Sequence, residues 1–359
     1  MKNRAEGANV GNNVAGYIVK RLVWGVFLLL AVIAVTYIVF FVIPTERSRF
    51  VTRNELSASD IRTAIGVHGS VFQEYGQYVW HLAHGSLGQS YRGHVQVNSL
   101  IANAAPVTGS LVLGGAVTWL LIAFPMGILS ALKPRSLFDR AGMILVLAGI
   151  SVHPVWLGLI LSYVFGWKLR LFPLGGYCDV INPPPGSECG GPVQWAYHLI
   201  LPWVTFATLY GALYARMIRA TVAETLNEEY VRTARAKGAS EWRVLRSHVF
   251  RNAMLPIVTM TGMDIGVALG GTIFVENVFG LNGLGRTMTR AVQTYDLPIV
   301  LGVLIFMTLA IVVFNLLVDV VYAFVDPRVR ASRAVDAEER IRGEVAPRAK
   351  RALAESVPG

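Results

Sequence analysis

Residues Gly109 to Leu132 read GSLVLGGAVTWLLIAFPMGILSAL, a run without a single charged side chain. About 20 residues of helix cross the hydrocarbon core of a bilayer, so this run predicts a transmembrane helix. Five further runs are similarly long and apolar, two of them with one aspartate each, and they are Leu22 to Ile43, Gly142 to Val164, His198 to Ala215, Ala253 to Val275 and Pro298 to Phe324. The sequence therefore predicts an all-α integral membrane protein with six spans.

The composition excludes a pair of soluble domains. Of the 359 residues, 54% are hydrophobic and only 15% are charged, and the mean hydropathy is +0.51. A net charge of +10 would suggest nucleic-acid binding in a soluble protein. Here the basic residues lie between apolar runs and no nucleic-acid motif accompanies them. The first apolar run is also too long for a signal-peptide core, so we interpret it as a retained span.

The distribution of basic residues predicts the orientation. Of the 32 lysines and arginines, 23 lie on the side that holds both termini and nine lie on the other side. Basic residues are enriched in cytoplasmic loops, so both termini are predicted to be cytoplasmic. The chain then divides into a cytoplasmic N-terminal segment, 1–16, a membrane domain, 17–330, and a basic, mobile tail, 331–359.

The first external loop, 44–108, is too long to be a simple connection. Apolar residues in it fall at helical spacing, followed by Gly85 and Gly88; they are Val71, Tyr75, Tyr78, Val79 and Leu82. This pattern predicts an amphipathic helix. It either lies on the membrane surface or caps a pore, or else it packs on the spans for stability.

The second external loop contains the two cysteines of the chain, Cys178 and Cys189, in a segment rich in proline and glycine. Both are predicted to face the oxidising side of the membrane. A disulfide is therefore favoured over two free thiols.

The basic cytoplasmic loop from Glu224 to Asn252 predicts two short helices. Asn227 is a good N-cap for a helix from Glu228 to Lys237, and Gly238 ends that helix. A second helix would follow Ser240 and present an apolar face made of Trp242, Leu245 and Val249. The first helix would expose Tyr230, Ala234 and Ala236 for insertion into a protein groove. The alternative is a basic loop that contacts anionic lipid.

Catalytic and metal motifs are not convincing. No Gly-Lys dipeptide occurs, so the chain has no phosphate-binding loop for ATP. Ser151 and His153 are two residues apart and point away from each other on a helix. His81 and His84 have no third metal ligand in view. We predict no catalytic residue and no metal site.

Two aspartates lie in predicted spans, Asp264 and Asp319. They do not carry the Gly-x-Gly context of a protease dyad. Asp264 lies at mid-membrane, where it either lines a polar translocation path or makes an interhelical hydrogen bond.

Several segments resemble one family of transport proteins. Tyr230-Val-Arg-Thr-Ala-Arg-Ala-Lys-Gly238 and His248-Val-Phe-Arg-Asn-Ala-Met-Leu-Pro256 resemble the coupling-helix signature of permease subunits in binding-protein-dependent ABC importers, specifically the dipeptide/oligopeptide branch. Further similar segments, in the expected order, are Gly85 to Ser90, Phe274 to Phe279 and Asp326 to Arg328. The resemblance covers about Tyr17 to Arg330.

The chain departs from the family pattern at four places. Pro44-Thr-Glu-Arg47 replaces Pro-Gly-Asp-Pro, and Ser86 replaces an aspartate. His153 stands where an apolar residue is usual before Pro154. The loop from Cys178 to Cys189 looks like an insertion relative to the family pattern. These departures concern the external loops and the translocation path more than the fold.

The resemblance implies a type I ABC importer permease fold in the plasma (inner) membrane, with a cytoplasmic coupling helix between the fourth and fifth spans. It implies half of a translocation pathway for di- or oligopeptides or a related small solute. The implied partners are a second, homologous permease subunit, an external solute-binding protein, membrane lipid and two ABC ATPase subunits. ATP and Mg²⁺ would bind those ATPases, and this chain would bind no cofactor.

Particular residues take roles from the resemblance. The implied ATPase-coupling residues are Glu228, Tyr230, Arg232, Thr233, Ala234, Ala236, Lys237 and Gly238. Asp264 and His153 are candidates for the translocation path. The rival function is an ion- or proton-coupled secondary transporter, for which inverted repeats are expected, and no convincing repeat is found.

Overall fold

The computed structural model describes residues 22–36, 38, 71–90, 92–180, 189–294 and 296–325. The predicted N-terminal segment 1–16, residues 44–70 of the external loop and the tail 331–359 lie outside the described residues. The chain divides into two units, one formed by residues 25–315 and the other by the residues on either side of that range. Every site discussed below lies within residues 25–315.

Regular structure in the described part of the chain is helical. The helices are α1 (Leu22–Thr36), α2 (Val71–Ala83), α3 (Val97–Leu132), α4 (Leu137–Ser151), α5 (Pro154–Leu161), α6 (Gly191–Leu226), α7 (Glu229–Ala236), α8 (Glu241–Val244), α9 (Phe250–Val278), α10 (Leu284–Gln293) and α11 (Leu297–Val325). A π-helical segment, Ser162–Lys168, continues α5, and another, Leu245–Val249, joins α8 to α9. Among the residues described, β-structure is limited to two isolated bridges.

Within the described ranges, four helices are long and apolar enough to cross a membrane. They are α3, α6, the part of α9 from Pro256 and the part of α11 up to Val318. These helices contain the predicted second, fourth, fifth and sixth spans. Helix α1 holds the start of the predicted first span and is too short to count as a crossing by itself.

The predicted third span is not one straight helix. Helix α4 and the helix that runs from Pro154 to Lys168 form a pair bent by 108°. Proline disfavours helical geometry in the residue before it, and His153 accordingly has extended backbone angles, φ −69° and ψ 133°. The pair counts as a fifth crossing only if both arms form one span.

The core of the large unit is built around α3 and α6. Trp119 and Leu111 of α3 are fully buried, as are Leu199 and Ile218 of α6. The two backbones approach closely, because a Cβ at Gly127 would lie 2.7 Å from the Cβ of Ile218. Small residues allow this kind of approach between membrane helices.

The predicted external helix is present as α2 and packs on other helices. Tyr75, Val79 and Leu82 contact a buried cluster formed by Ile33, Leu301 and Ile305. Gly85, with φ +78°, follows the end of the helix. The contacts favour the packed alternative over a helix that lies alone on the membrane surface.

Candidate functional site

The basic loop begins where α6 ends. The backbone N–H of Asn227 donates to the carbonyls of Glu224 and Thr225, and its side-chain Nδ2 donates to the carbonyl of Ala223 at 2.9 Å. Asn227 therefore closes α6, and the prediction that it caps the next helix is wrong. The N-cap position of α7 belongs to Glu228, with extended backbone angles.

Helix α7 lies one residue inside the predicted bounds at each end. Gly238 follows it with φ +80°, in the left-handed region, and a Cβ there would meet no atom within 4 Å. The demand for glycine at this position is thus a matter of backbone conformation and not of space.

One face of α7 packs on the protein and the other is exposed. Val231 is fully buried in the main core cluster, and Ala234, three residues on, packs against the same cluster. Ala234 was predicted to be exposed, and it is half-buried because it shares the face of Val231. The other predicted coupling residues are exposed, and they are Glu228, Tyr230, Arg232, Thr233, Ala236, Lys237 and Gly238.

The second short helix supports the first. Val244 and Val249 are fully buried, whereas Trp242 is 71% exposed, so the prediction that Trp242 belongs to the apolar face is wrong. Trp242 is two residues from Val244 and points away from it on a helix. Arg235 and Glu241 form a bidentate ion pair that joins α7 to α8 across Gly238. Its two N–O distances are 2.8 and 3.0 Å.

A second ion pair lies beside this loop and was missed by sequence reasoning. Arg219 of α6 donates from Nε and one terminal nitrogen to the two oxygens of Asp139, at 2.7 and 3.0 Å. Asp139 also accepts from the backbone N–H of Arg135 at 2.9 Å, and its own N–H donates to Ser136, the N-cap of α4. This cap pattern was the available signal in the sequence. The pair fixes the start of α4 to the C-terminal part of α6.

Asp264 of α9 accepts a hydrogen bond from the neighbouring helix α6. The hydroxyl of Tyr214, which is 1% exposed, donates to Oδ2 of Asp264 at 2.7 Å. The interhelical hydrogen bond considered from the sequence is therefore present, between α6 and α9. Asp264 itself remains partly exposed.

His153 lies at the bend between α4 and α5. Its Nδ1 accepts from the backbone N–H of Val155 at 3.3 Å, which caps α5. The exposed ring packs edge-on against Phe274 of α9, with centroids 5.2 Å apart. Phe274 is ten residues from Asp264, or about 15 Å of helix rise. The structure thus places Asp264 within α9 and the His153 ring against a more C-terminal part of the same helix, without contact between the two.

Glu276 is a fully buried carboxylate that the sequence analysis did not single out. Its Oε1 accepts from the hydroxyl of Thr108 at 2.7 Å, and its Oε2 accepts from the backbone N–H of Arg286 at 2.8 Å. Oxygen Oγ1 of Thr108 in turn accepts from the N–H of Leu284 at 2.8 Å. The carboxylate therefore lies at the N-terminus of α10, where negative charge is favourable.

Cys178 and Cys189 are joined by a disulfide, with Cα atoms 5.1 Å apart. The nitrogen Nδ1 of His198 lies 3.3 Å from Sγ of Cys178. Within the described residues, these three side chains form a group with the spacing of metal ligands. Sulfurs that are bonded to each other are not thiolate ligands, so the group is a disulfide with a histidine beside it.

The fold and the loop define a multi-span helical membrane protein with a short helix, α7, packed on its surface. Residues 123–331 match the family described as the binding-protein-dependent transport system inner membrane component, and residues 14–112 match the N-terminal part of the same membrane component. The chain belongs to this family, and the resemblance stated from the sequence is confirmed.

Similar proteins have names that agree with the family. A putative peptide transport system permease protein of Brucella abortus is 34% identical over 316 residues, which cover 87% of this chain and 98% of that protein. A dipeptide transport system permease protein of Escherichia coli is 34% identical over 281 residues, which cover 74% and 83%. A chain of the MetNI methionine ABC transporter, solved in an inward-facing conformation, shares the fold with a TM-score of 0.50 at 15% identity, covering 63% of this chain and 96% of that chain.

Proposed function

We propose that this chain is the permease subunit of an ATP-driven importer and forms half of a translocation pathway for peptides. The family membership and the names of the relatives support this function over the rival secondary transporter. A second permease subunit completes the pathway. An external binding protein delivers the solute, and two ATPase subunits bind ATP and Mg²⁺.

The proposal includes six spans with both termini in the cytoplasm. In this arrangement α1 belongs to the first span and the bent pair of α4 and α5 forms the third. The excess of lysine and arginine on the side of both termini supports the orientation. The long loop of 44–108 and the loop closed by the disulfide then face the external side.

Coupling in this proposal passes through α7. The helix inserts its exposed face, with Tyr230 and Lys237, into a groove of one ATPase subunit. Val231 and the pair of Arg235 and Glu241 hold α7 in place, so that closure of the ATPases moves α6 and α9. A flexible loop would absorb that movement instead of transmitting it.

One observation carries the proposal: α7 is anchored by a buried residue while seven of the eight implied coupling residues stay exposed. The test is a pair of substitutions at Gly238, measured as ATP hydrolysis and peptide uptake by the whole complex in vesicles. Gly238→Glu puts a side chain in the left-handed conformation, which costs roughly 1–3 kcal/mol, so uptake should fall about tenfold while hydrolysis continues. Gly238→Asn is the matched control, because asparagine tolerates this conformation.

Equal uptake by both Gly238 variants would contradict the role of the loop. Ala234→Asp provides a second variant, since it places a charge on the half-buried face of α7. It should also uncouple hydrolysis from uptake while the protein still inserts. Uptake by this chain alone, abolished by an ionophore and independent of ATP, would instead establish the secondary transporter.

A further inference from the structure

Asp264 is a carboxylate at the centre of a membrane-spanning helix and is only partly buried. It is 14 residues from each end of α9, or about 21 Å of helix rise. A charged group at this depth is costly against hydrocarbon and is found facing a bundle interior or a water-filled cavity. The exposed side of Asp264 must therefore face water or polar groups and not lipid.

The carboxylate is held in place from the α6 side. Tyr214 donates to Oδ2 and is itself buried, so its hydroxyl cannot swing into solvent. A carboxylate has further lone pairs for other donors. Asp264 is thus oriented by one hydrogen bond from a neutral group. The ion pairs found among the described residues do not include Asp264.

An aromatic cluster includes Tyr214, the hydrogen-bond partner of this carboxylate. Tyr210 and Tyr214 are four residues apart on one face of α6, and Trp119 stacks on Tyr210 with centroids 4.7 Å apart. Trp119 is also 5.9 Å from Tyr214. Trp119 and Tyr214 are fully buried, so the half-exposed Tyr210 is the ring of this group that an ammonium group could reach beside the carboxylate.

One face of α9, next to Asp264, is exposed along the length of the helix. The exposed residues recur every three or four positions, and they are Met260, Met263, Val267, Gly270 and Phe274. Asp264 adjoins this face between Met263 and Val267. Phe274 contacts the ring of His153, so a second ionisable side chain lies on the same face toward the external end. Asp264 on α9 and His153 beside it thus place two ionisable side chains along this face, which favours water over lipid there.

We propose that Asp264 is a subsite for an ammonium group of the transported solute, on a water-filled path along this exposed face of α9. The subsite deepens the proposed function and rests on it, since a peptide carries an α-ammonium group. Tyr214 positions the carboxylate, and Tyr210, one turn away on α6 and half-exposed, offers an aromatic face to the ammonium group. The charge selects for a cationic end of the solute without a tight fit to its side chains.

The chain is suited to a test by cysteine labelling. Its two cysteines are joined in the disulfide, so a single cysteine introduced at Val267 would be the one free thiol. Val267→Cys is made with Asp264 intact and with Asp264→Asn, and Met263→Cys provides a second pair. The labelling rate by a trimethylammonium-bearing and by a sulfonate-bearing methanethiosulfonate is measured on the whole complex in membrane vesicles, at rest and with ATP and vanadate.

With Asp264 intact, the cationic reagent should react about tenfold faster, relative to the anionic reagent, than with Asp264→Asn. A cysteine at Leu121, exposed on α3 among apolar residues, should react with neither charged reagent. The cysteine variants with Asp264 intact must retain uptake, and those with Asp264→Asn must assemble into the complex and hydrolyse ATP, which excludes a folding defect.

Two results would overturn the subsite. One is no labelling of either α9 cysteine by a charged reagent in any state, which means no water-filled path at this face. The other is a ratio of rates that Asp264→Asn leaves unchanged, which means a path without a charge-selective site. Neither result depends on which solute is imported, so failure here is distinguishable from a complex that fails to import peptides with ATP.

Discussion

Single polar residues in this protein hold neighbouring helices together through hydrogen bonds. The carboxylate of Glu276 is the buried example, because it accepts hydrogen bonds from Thr108 of α3 and from the N-terminus of α10 at once. There is also little room around it, since a Cβ at Gly283 would lie 2.5 Å from its Cδ. Glu276 therefore fixes the short helix α10 against two long ones.

Replacing Glu276 should destabilise the protein in a graded way. Glu276→Ala leaves the hydroxyl of Thr108 and the N–H of Arg286 without their acceptor, at a cost of about 1–3 kcal/mol for each buried group. Glu276→Gln retains one acceptor oxygen and should cost less. The measurement is the midpoint of thermal unfolding of the purified complex, and identical midpoints for both variants and the unmodified protein would contradict the assignment.

At the level of elements, α7 depends on very few contacts. Its exposed face is polar, and Val231 is its fully buried residue. Such a short helix has little stability of its own, so packing decides whether it forms. The position of the loop is thus sensitive to one apolar side chain.

Val231→Ala should weaken the attachment of α7. The lost burial and the small cavity cost about 1–3 kcal/mol, and peptides imported per ATP hydrolysed should fall. Val193→Ala makes the same chemical change at a residue of α6 that is 77% exposed, and it should leave this ratio unchanged. A similar ratio in both variants would show that the packing of Val231 does not serve coupling.

The elements were predicted better than their contacts. Apolar runs located the long helices, and Gly238 placed the end of α7 to within one residue, because hydropathy and backbone conformation are local properties. The ends of the long helices were predicted less well, since α3 begins 12 residues before the predicted span and α6 ends 11 residues after it. The buried and exposed faces of the short helices were predicted less well. Ala234 was assigned to the exposed face and Trp242 to the apolar one, and both assignments were wrong. The pair of Asp139 and Arg219 spans 80 residues of sequence, so no local pattern could join the two.

For the molecule as a whole, the orientation in the membrane is the property open to direct test. With six spans and both termini inside, green fluorescent protein fused to the C-terminus should fluoresce. Alkaline phosphatase inserted between residues 181 and 188 should be active, because this segment is predicted to be external. An inactive phosphatase at that position, with the fusion protein inserted in the membrane, would require a different number of spans.

The bend at His153 and Pro154 has a consequence for what surrounds the protein. Pro154 carries no N–H, so the carbonyl of Ile150 lacks the donor that a continuous helix would supply four residues on. Hydrocarbon offers no hydrogen bond to such an oxygen, and lipid-exposed breaks of this kind are not found. If the two arms form one span, water or protein must shield the break from lipid, whether that protein is α9, on which the His153 ring packs, or a neighbouring polypeptide.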